Sequence, residues 1–320
     1  MVSNGSIEPS PAAAAERSGT GGVVIGFDGS DSGEDALALG VRLAWATGER
    51  PVAAAVYPES PLGSGHVDTE WITALREHAE QTLLRARSLV GDSVAAEYRT
   101  IASGSAAHGL DDLAEALGAS SVVVGSGRGG PLRRITAGST AERLLHGASV
   151  PVVVAPRGHR ERSTPGLAVV GCAFVDTVDG YEALAAAARL AARARARLHI
   201  YTVVAPTADF ALLGGRDAQR AYVDSARESF QAALDRAVAR VDGGVPATAA
   251  LLEGDVVDAL AALDDRDVDV LVVGSRGYGP LRRVLLGGTS SRLIRRAACP
   301  VMVVPRCAGA QRVRATPSPA

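Results

Sequence analysis

Residues 125–157 read GSGRGGPLRRITAGSTAERLLHGASVPVVVAPR, and residues 274–306 read GSRGYGPLRRVLLGGTSSRLIRRAACPVMVVPR. Laid over each other without a gap, at an offset of 149, they share 17 identities in 33 positions. Chance supplies far fewer, so the 320-residue chain carries an internal duplication and its fold is that of one repeated unit. Each stretch has the same parts: a glycine closing an apolar run, a glycine-rich loop, a short helical pattern and a final apolar run.

Outward from these stretches the order of elements is the same in both copies. In the first copy, the apolar run at 23–27 suits a buried parallel strand, and 52–57, 97–102, 121–124 and 150–155 read as the further strands. Helical spacing covers 34–46, a long segment starting from a cap at Asp68 or Thr69 and running to about residue 90, 108–117, and 139–146. Pro, Gly and Ser mark 58–67 as a loop. The second copy predicts strands at 168–173, 198–204, 248–252, 270–273 and 301–304, with helices near 181–196, 218–241, 256–263 and 290–297. Domains are therefore expected at 21–157 and 167–306, joined by a polar linker at 158–166. Residues 1–20 and 307–320, rich in Ser, Pro, Ala and Gly, are expected to be disordered tails. Strands alternating with helices imply an α/β fold: two tandem Rossmann-like domains, each a five-stranded parallel sheet with helices on both faces.

Composition narrows the function classes. Hydrophobic residues make up 47% and charged residues 21%, as in soluble globular proteins. At 4% aromatic, the core must rest on Val, Leu, Ile and Ala. A net charge of −2 argues against non-specific nucleic-acid binding. Cys172, Cys299 and Cys307 form neither a disulfide framework nor a zinc pattern, and the six histidines are scattered. No apolar run approaches the roughly 20 residues of a membrane span, and residues 1–20 lack a signal-peptide core, so a cytoplasmic location is expected. No nucleophile–base pair stands out, so no catalytic residue is assigned.

The loops carry the chemistry. Gly125 and Gly274 end a strand where a Cβ would obstruct a ligand. Thirteen residues on, Gly138-Ser139-Thr140 and Gly287-Gly288-Thr289-Ser290 open a helix. A helix start offers amide N–H groups and a positive dipole end, which suits phosphate. In open α/β sheets ligands bind beyond the carboxyl ends of the strands, where the strand order reverses. Which strands flank that reversal is not written in the residues.

The element order and the loops resemble the universal stress protein family, over roughly residues 21–306. Its nucleotide-binding members carry Gly-x2-Gly-x9-Gly-Ser/Thr, and its adenine nucleotide alpha hydrolase-like fold places the first and fourth strands beside the order reversal. The resemblance implies a site for ATP, ADP or AMP, with Mg left open. In the first copy it would be built from Gly26 and Asp28 of the Gly26-Phe27-Asp28-Gly29-Ser30 turn, the backbone of Ala55 and Val56, and Gly125, Ser126, Arg128, Gly130, Gly138, Ser139 and Thr140 of the loop. The second copy would use Gly171, Gly274, Ser275, Arg276, Gly277, Gly279, Gly287, Gly288, Thr289 and Ser290. Arg128 replaces the motif's second glycine in the first copy, and Gly288 its hydroxyl residue in the second. The second copy also lacks an Asp-Gly-Ser turn: Ala173 falls opposite Asp28, and Asp176 serves only if the turn is longer.

Bland readings stand beside these. The loops are also competent as plain strand-to-helix connections. Asp28 is equally suited to capping the next turn or helix, and Ser139 to a Ser-x-x-Glu box with Glu142. The pairs Arg133-Arg134 and Arg282-Arg283 reach phosphates, reach a partner, or are solvated. Cys299 and His199 read as packed residues. The family resemblance implies a nucleotide-binding regulator of stress responses acting through partner or oligomer contacts. A slow ATPase and a dimerisation module without nucleotide are the alternatives. The two apolar final strands should pair, making an intramolecular pseudo-dimer, while a homodimer of whole chains stays open.

Overall fold

Val23, Val24 and Ile25 of strand β1 (Gly22–Gly26) are almost inaccessible to solvent, as a strand covered on both faces requires. The first copy continues as α1 (Asp31–Thr47), β2 (Arg50–Pro58), α2 (His66–Val90), β3 (Glu97–Ser103), α3 (Ala106–Leu117), β4 (Ser121–Gly125), α4 (Ser139–Gly147) and β5 (Val152–Ala155). The second runs β6 (Val169–Ala173), α5 (Val178–Ala194), β7 (Arg197–Val204), α6 (Gly215–Ala239), β8 (Ala247–Glu253), α7 (Val256–Ala261), β9 (Val270–Gly274), α8 (Gly288–Ile294) and β10 (Val301–Val304). The computed structural model describes residues 21–59, 66–127, 135, 138–162, 166–205, 215–275 and 288–305. Both predicted tails lie outside the described residues.

All ten expected strands form, with boundaries shifted by local chemistry. Strand β5 starts at Val152 instead of 150, because Pro151 has no N–H to give the ladder; its carbonyl still accepts from Val122 N at 2.9 Å. Helix α2 starts at His66, which puts Asp68 and Thr69 inside its first turn and corrects their assignment as caps. Hydroxyls or carboxylates do cap four helices: Ser30 for α1, Ser105 for α3, Thr177 for α5 and Asp255 for α7.

The strands form one ten-stranded sheet in the order β3-β2-β1-β4-β5-β10-β9-β6-β7-β8. Within each copy every pairing is parallel, and the order reverses between β1 and β4 and again between β6 and β9. The copies join where β5 and β10 pair antiparallel, with Val154 opposite Val301, Val153 opposite Met302 and Val152 opposite Val303. The expected pseudo-dimer is thus a continuous sheet. Alternating side chains send Val153, Ala155, Met302 and Val304 into one core, shared with α1 and α5, and Val152, Val154, Val301 and Val303 into the other.

The segment expected to be a polar linker packs onto the first copy. Gly158 N and Arg160 N donate to Asp35 Oδ2 and Oδ1 at 2.8 and 3.0 Å, with Asp35 fully buried on α1. A 3-10 turn, His159–Glu161, follows, and His159 is buried. Among the described residues no helix is long and apolar enough to cross a membrane.

Candidate functional site

Gly125 ends β4 beside the start of α1. A Cβ built on it falls on the carbonyl of Ser32, so the glycine is first a condition for seating α1 against the strand end. The equivalent Gly274 is looser: its Cβ would stand 3.2 Å from the Asp179 carbonyl. The ligand-clearance role assigned from sequence is therefore secondary to helix packing.

Around that contact the first copy gathers polar groups at the order reversal. Phe27, just past β1, is tied to the sheet by its N–H to the Ala54 carbonyl at 2.9 Å, which leaves Asp28 exposed at the sheet edge. Asp28 Oδ1 accepts from Ser30 N at 3.1 Å and from the Ser30 hydroxyl. Ser30 Oγ in turn accepts from Gly33 N at 3.2 Å. Asp28 thus makes the turn and Ser30 makes the helix cap. Gly26 closes β1 against Leu110 and Val124, Ser126 is buried behind the strand end, and Val56 is half-buried on β2 beside Ile101.

Helix α4 begins across this opening. Gly138 is its N-cap and makes no side-chain cap bond; its backbone is so near the loop's start that an added Cβ would lie 3.2 Å from Gly127 Cα. Ser139 is exposed and Thr140 half-buried in the first turn. The Ser139–Glu142 capping box is not formed, because Ser139 sits one position inside the helix. Glu142 Oε1 instead accepts from Arg295 of the second copy at 2.9 Å. Among the described residues four helices close their own N-termini with a side chain, whereas α4 starts on a glycine that has none to give. The cradle fits a phosphate in what it offers: backbone N–H donors, a close glycine pair and a hydroxyl.

The second copy is built differently at the same place. Phe174 N donates to Tyr201 O at 2.7 Å, as Phe27 N does to Ala54 O, and Thr177 caps α5 through Gly180 as Ser30 caps α1 through Gly33. These matches set the local offset at 147, because 174 less 27 and 177 less 30 agree. The sequence alignment that placed Ala173 opposite Asp28 is corrected: Ala173 stands at Gly26, and Val175 stands at Asp28. Gly171 lies inside β6, packed on Val268 and Leu271, away from the strand end. Asp176 is held by Arg236, whose guanidinium donates at 2.7 Å and keeps the carboxyl below its usual range. Ser290 is buried and gives its proton to the Gly274 carbonyl at 3.1 Å, tying helix to strand. Ser275 is buried, with its N–H on Val304 O at 3.1 Å. Gly288 and Thr289 open α8, Gly288 exposed and Thr289 half-buried.

Arg128, Gly130, Arg276, Gly277, Gly279, Gly287, Arg133, Arg134, Arg282 and Arg283 lie outside the described residues. Among the described residues no cluster of three or more metal-ligating side chains is found. Cys172 and Cys299 are buried, and burial pushes both thiols up to about 12.

A family model for the universal stress protein family matches residues 21–156 and again residues 170–305. The chain belongs to the universal stress protein family. Universal stress protein Rv2319c of Mycobacterium tuberculosis is 29% identical over 299 residues, covering 88% of this chain and 99% of its own length. Universal stress protein Mb2346c of Mycobacterium bovis is similar to the same degree. A universal stress protein from Archaeoglobus fulgidus shares the fold, with a TM-score of 0.63 at 21% identity over 89% of this chain and 98% of that one. Within this family member, the sequence reading missed Ser30 and its partner Thr177. The spacing hydroxyl-x2-Gly, present at Ser30–Gly33 and Thr177–Gly180, was the signal that could have set the register.

Proposed function

We propose that this universal stress protein binds an adenine nucleotide at the order reversal of its first copy and reports occupancy to the second. The observation that carries the proposal is the glycine-capped start of α4, close to Gly127 just past β4, at the reversal where β4 neighbours β1, the strand that leads into the Asp28 turn. Phosphates would take the first amides of α4 and the Ser139 hydroxyl, Asp28 would receive ribose hydroxyls, and Val56 would floor the base, as the family resemblance implies. The second copy offers less: Val175 for Asp28, Ser290 turned to the strand, and a helix of seven residues against nine. ATP is the nucleotide to test first, with Mg2+ carried on its phosphates.

A route for the report is built in. Ile135, in the loop, donates its N–H to Ala297 O of the second copy at 3.2 Å, and Glu142 on α4 pairs with Arg295. Phosphate drawing on the loop and on α4 therefore pulls on two links to the other half. Partner contacts that depend on nucleotide follow from this coupling.

Calorimetry with ATP tests the site. Losing a hydrogen bond to a charged group costs about 1.5–3 kcal/mol, roughly one to two decades of affinity. Gly138→Val, which fills the cradle, should weaken ATP by at least that much, and Asp28→Ala by about tenfold. ATP affinity unchanged by Gly138→Val would refute the assignment to the first copy.

A further inference from the structure

Away from the nucleotide site, where the end of β5 meets the start of β10, a cavity of about 350 Å³ opens between the copies. Pro156, His159 and Arg162 line it from the segment after β5; Arg266, Ala298 and Pro300 line it from the second copy. His159 is only 4% exposed, yet neither ring nitrogen has a hydrogen-bond partner among the described residues. Next to it, Arg42 and Arg162 both donate from Nη2 to one oxygen, Asp269 Oδ1, the latter at 3.4 Å. Each keeps a buried Nη1 without a partner among the described residues. Asp269 is already saturated by Ala168 N and Val169 N at 2.6 and 2.9 Å on its other oxygen.

Buried polar groups of native proteins are almost always hydrogen-bonded, so an imidazole and two guanidinium nitrogens left over in one place call for a ligand. Arg162 also donates from Nη2 to the Asp265 carbonyl at 3.0 Å and stands 3.9 Å from its carboxylate, yet its Nη1 and that of Arg42 stay unpartnered among the described residues. Of the charged side chains lining the cavity, Arg157, Arg162 and Arg266 outnumber Glu161 and Asp265. The pKa of His159 is lowered to about 3, by burial first and then by Arg42 and Arg162 with Asp269 opposing them, so the ring is neutral and keeps one N–H to give. A volume of about 350 Å³ is many times one water's share of about 30 Å³ and reaches the lower end of small-molecule sites.

We propose that this cavity is a second ligand site, for a small oxyanion bound by Arg162 and the imidazole N–H of His159 and bridging the two copies. Planar guanidinium and a neutral imidazole donor suit carboxylate and phosphate oxygens alike. The site also touches the elements that shape the nucleotide opening. Ala298 follows Ala297, which receives the Ile135 N–H, and the chain before His159 is held by Asp35 of α1.

The test uses the full chain carrying Gly138→Val, so that phosphate at the loop is kept out of the signal and failure of the nucleotide assignment leaves this one standing. Histidine ring resonances are followed by NMR while inorganic phosphate, or separately succinate, is added at constant ionic strength; His159→Phe identifies the His159 signal. The expected result is a saturable shift of that signal with at least one anion. Phosphate alone would mark a phosphate site and succinate alone a carboxylate site. Arg162→Gln should weaken binding at least tenfold, and the exposed, fold-neutral Arg266→Gln severalfold. A His159 signal unmoved by both anions at about 50 mM, or unchanged affinity in both variants, would overturn the proposal.

Discussion

Gly125 and Gly274 hold equivalent strand ends, but a methyl group meets different resistance at each. At Gly125 it runs into the Ser32 carbonyl, part of the α1 backbone, and at Gly274 it stays 3.2 Å from Asp179 O. Gly125→Ala should cost about 1–3 kcal/mol, the usual cost of overpacking, and Gly274→Ala clearly less; urea unfolding of the two variants checks the order. His159 gives a pH prediction. Its folded pKa of about 3 lies below the ordinary 6.5, so the folded state resists the proton that the unfolded chain accepts. Its contribution is fully present above about pH 6.5 and is lost as pH falls toward 3, at up to about 1.4 kcal/mol per pH unit. His159→Phe should therefore flatten the acid limb of the stability curve between those values; an unchanged limb would show that other groups govern acid unfolding. None of this was legible in the sequence, where His159 sat in a stretch read as polar linker. Its burial depends on Asp35, 124 residues earlier, which no local pattern connects to it.

At the scale of elements, what differs between helices is how each one starts. Ser30 fills the α1 cap, whereas Ser139 lies within α4 and leaves the cap to Gly138. Ser30→Ala should lower stability by about 1 kcal/mol, and Ser139→Ala should leave it within about 0.5 kcal/mol while weakening ATP. Thermal denaturation and calorimetry on both variants separate the two roles; a Ser139→Ala chain as destabilised as Ser30→Ala would restore the capping box. The inner strands were legible because runs of four to seven mostly apolar residues between turn residues leave the chain few alternatives; the outermost two, at 97–102 and 248–252, hold no valine and were read from their place in the repeated order. The glycine loops were legible because they occur twice. The turn after β6 was not: with Asp-Gly-Ser gone, only the hydroxyl-x2-Gly spacing keeps register. Setting Gly171 opposite Gly26 used an offset of 145, two residues short of the 147 that the structure sets, and moved Val175 out of view.

For the whole molecule, the β5–β10 seam decides the assembly. Its pairs are Val, Val, Val against Val, Met, Val, and each half alone would expose one such edge to water. Residues 21–157 expressed alone should form a dimer through β5, measurable by analytical ultracentrifugation. A monomer would show that the strand ladder is not what joins the halves, and that the α1–α5 packing is needed as well. The seam was foreseeable from two apolar terminal strands; its direction was not, because pairing sense is set by how helices on both faces meet. That direction has a consequence for any protein that reads this one. Because β5 and β10 run antiparallel, all five strands of the first copy point one way and all five of the second point the other. The two openings therefore face away from each other across the molecule, like the north and south ends of a bar. A globular partner resting on one end senses a single occupancy state, and sensing both takes a partner that wraps the bar or arrives as a pair.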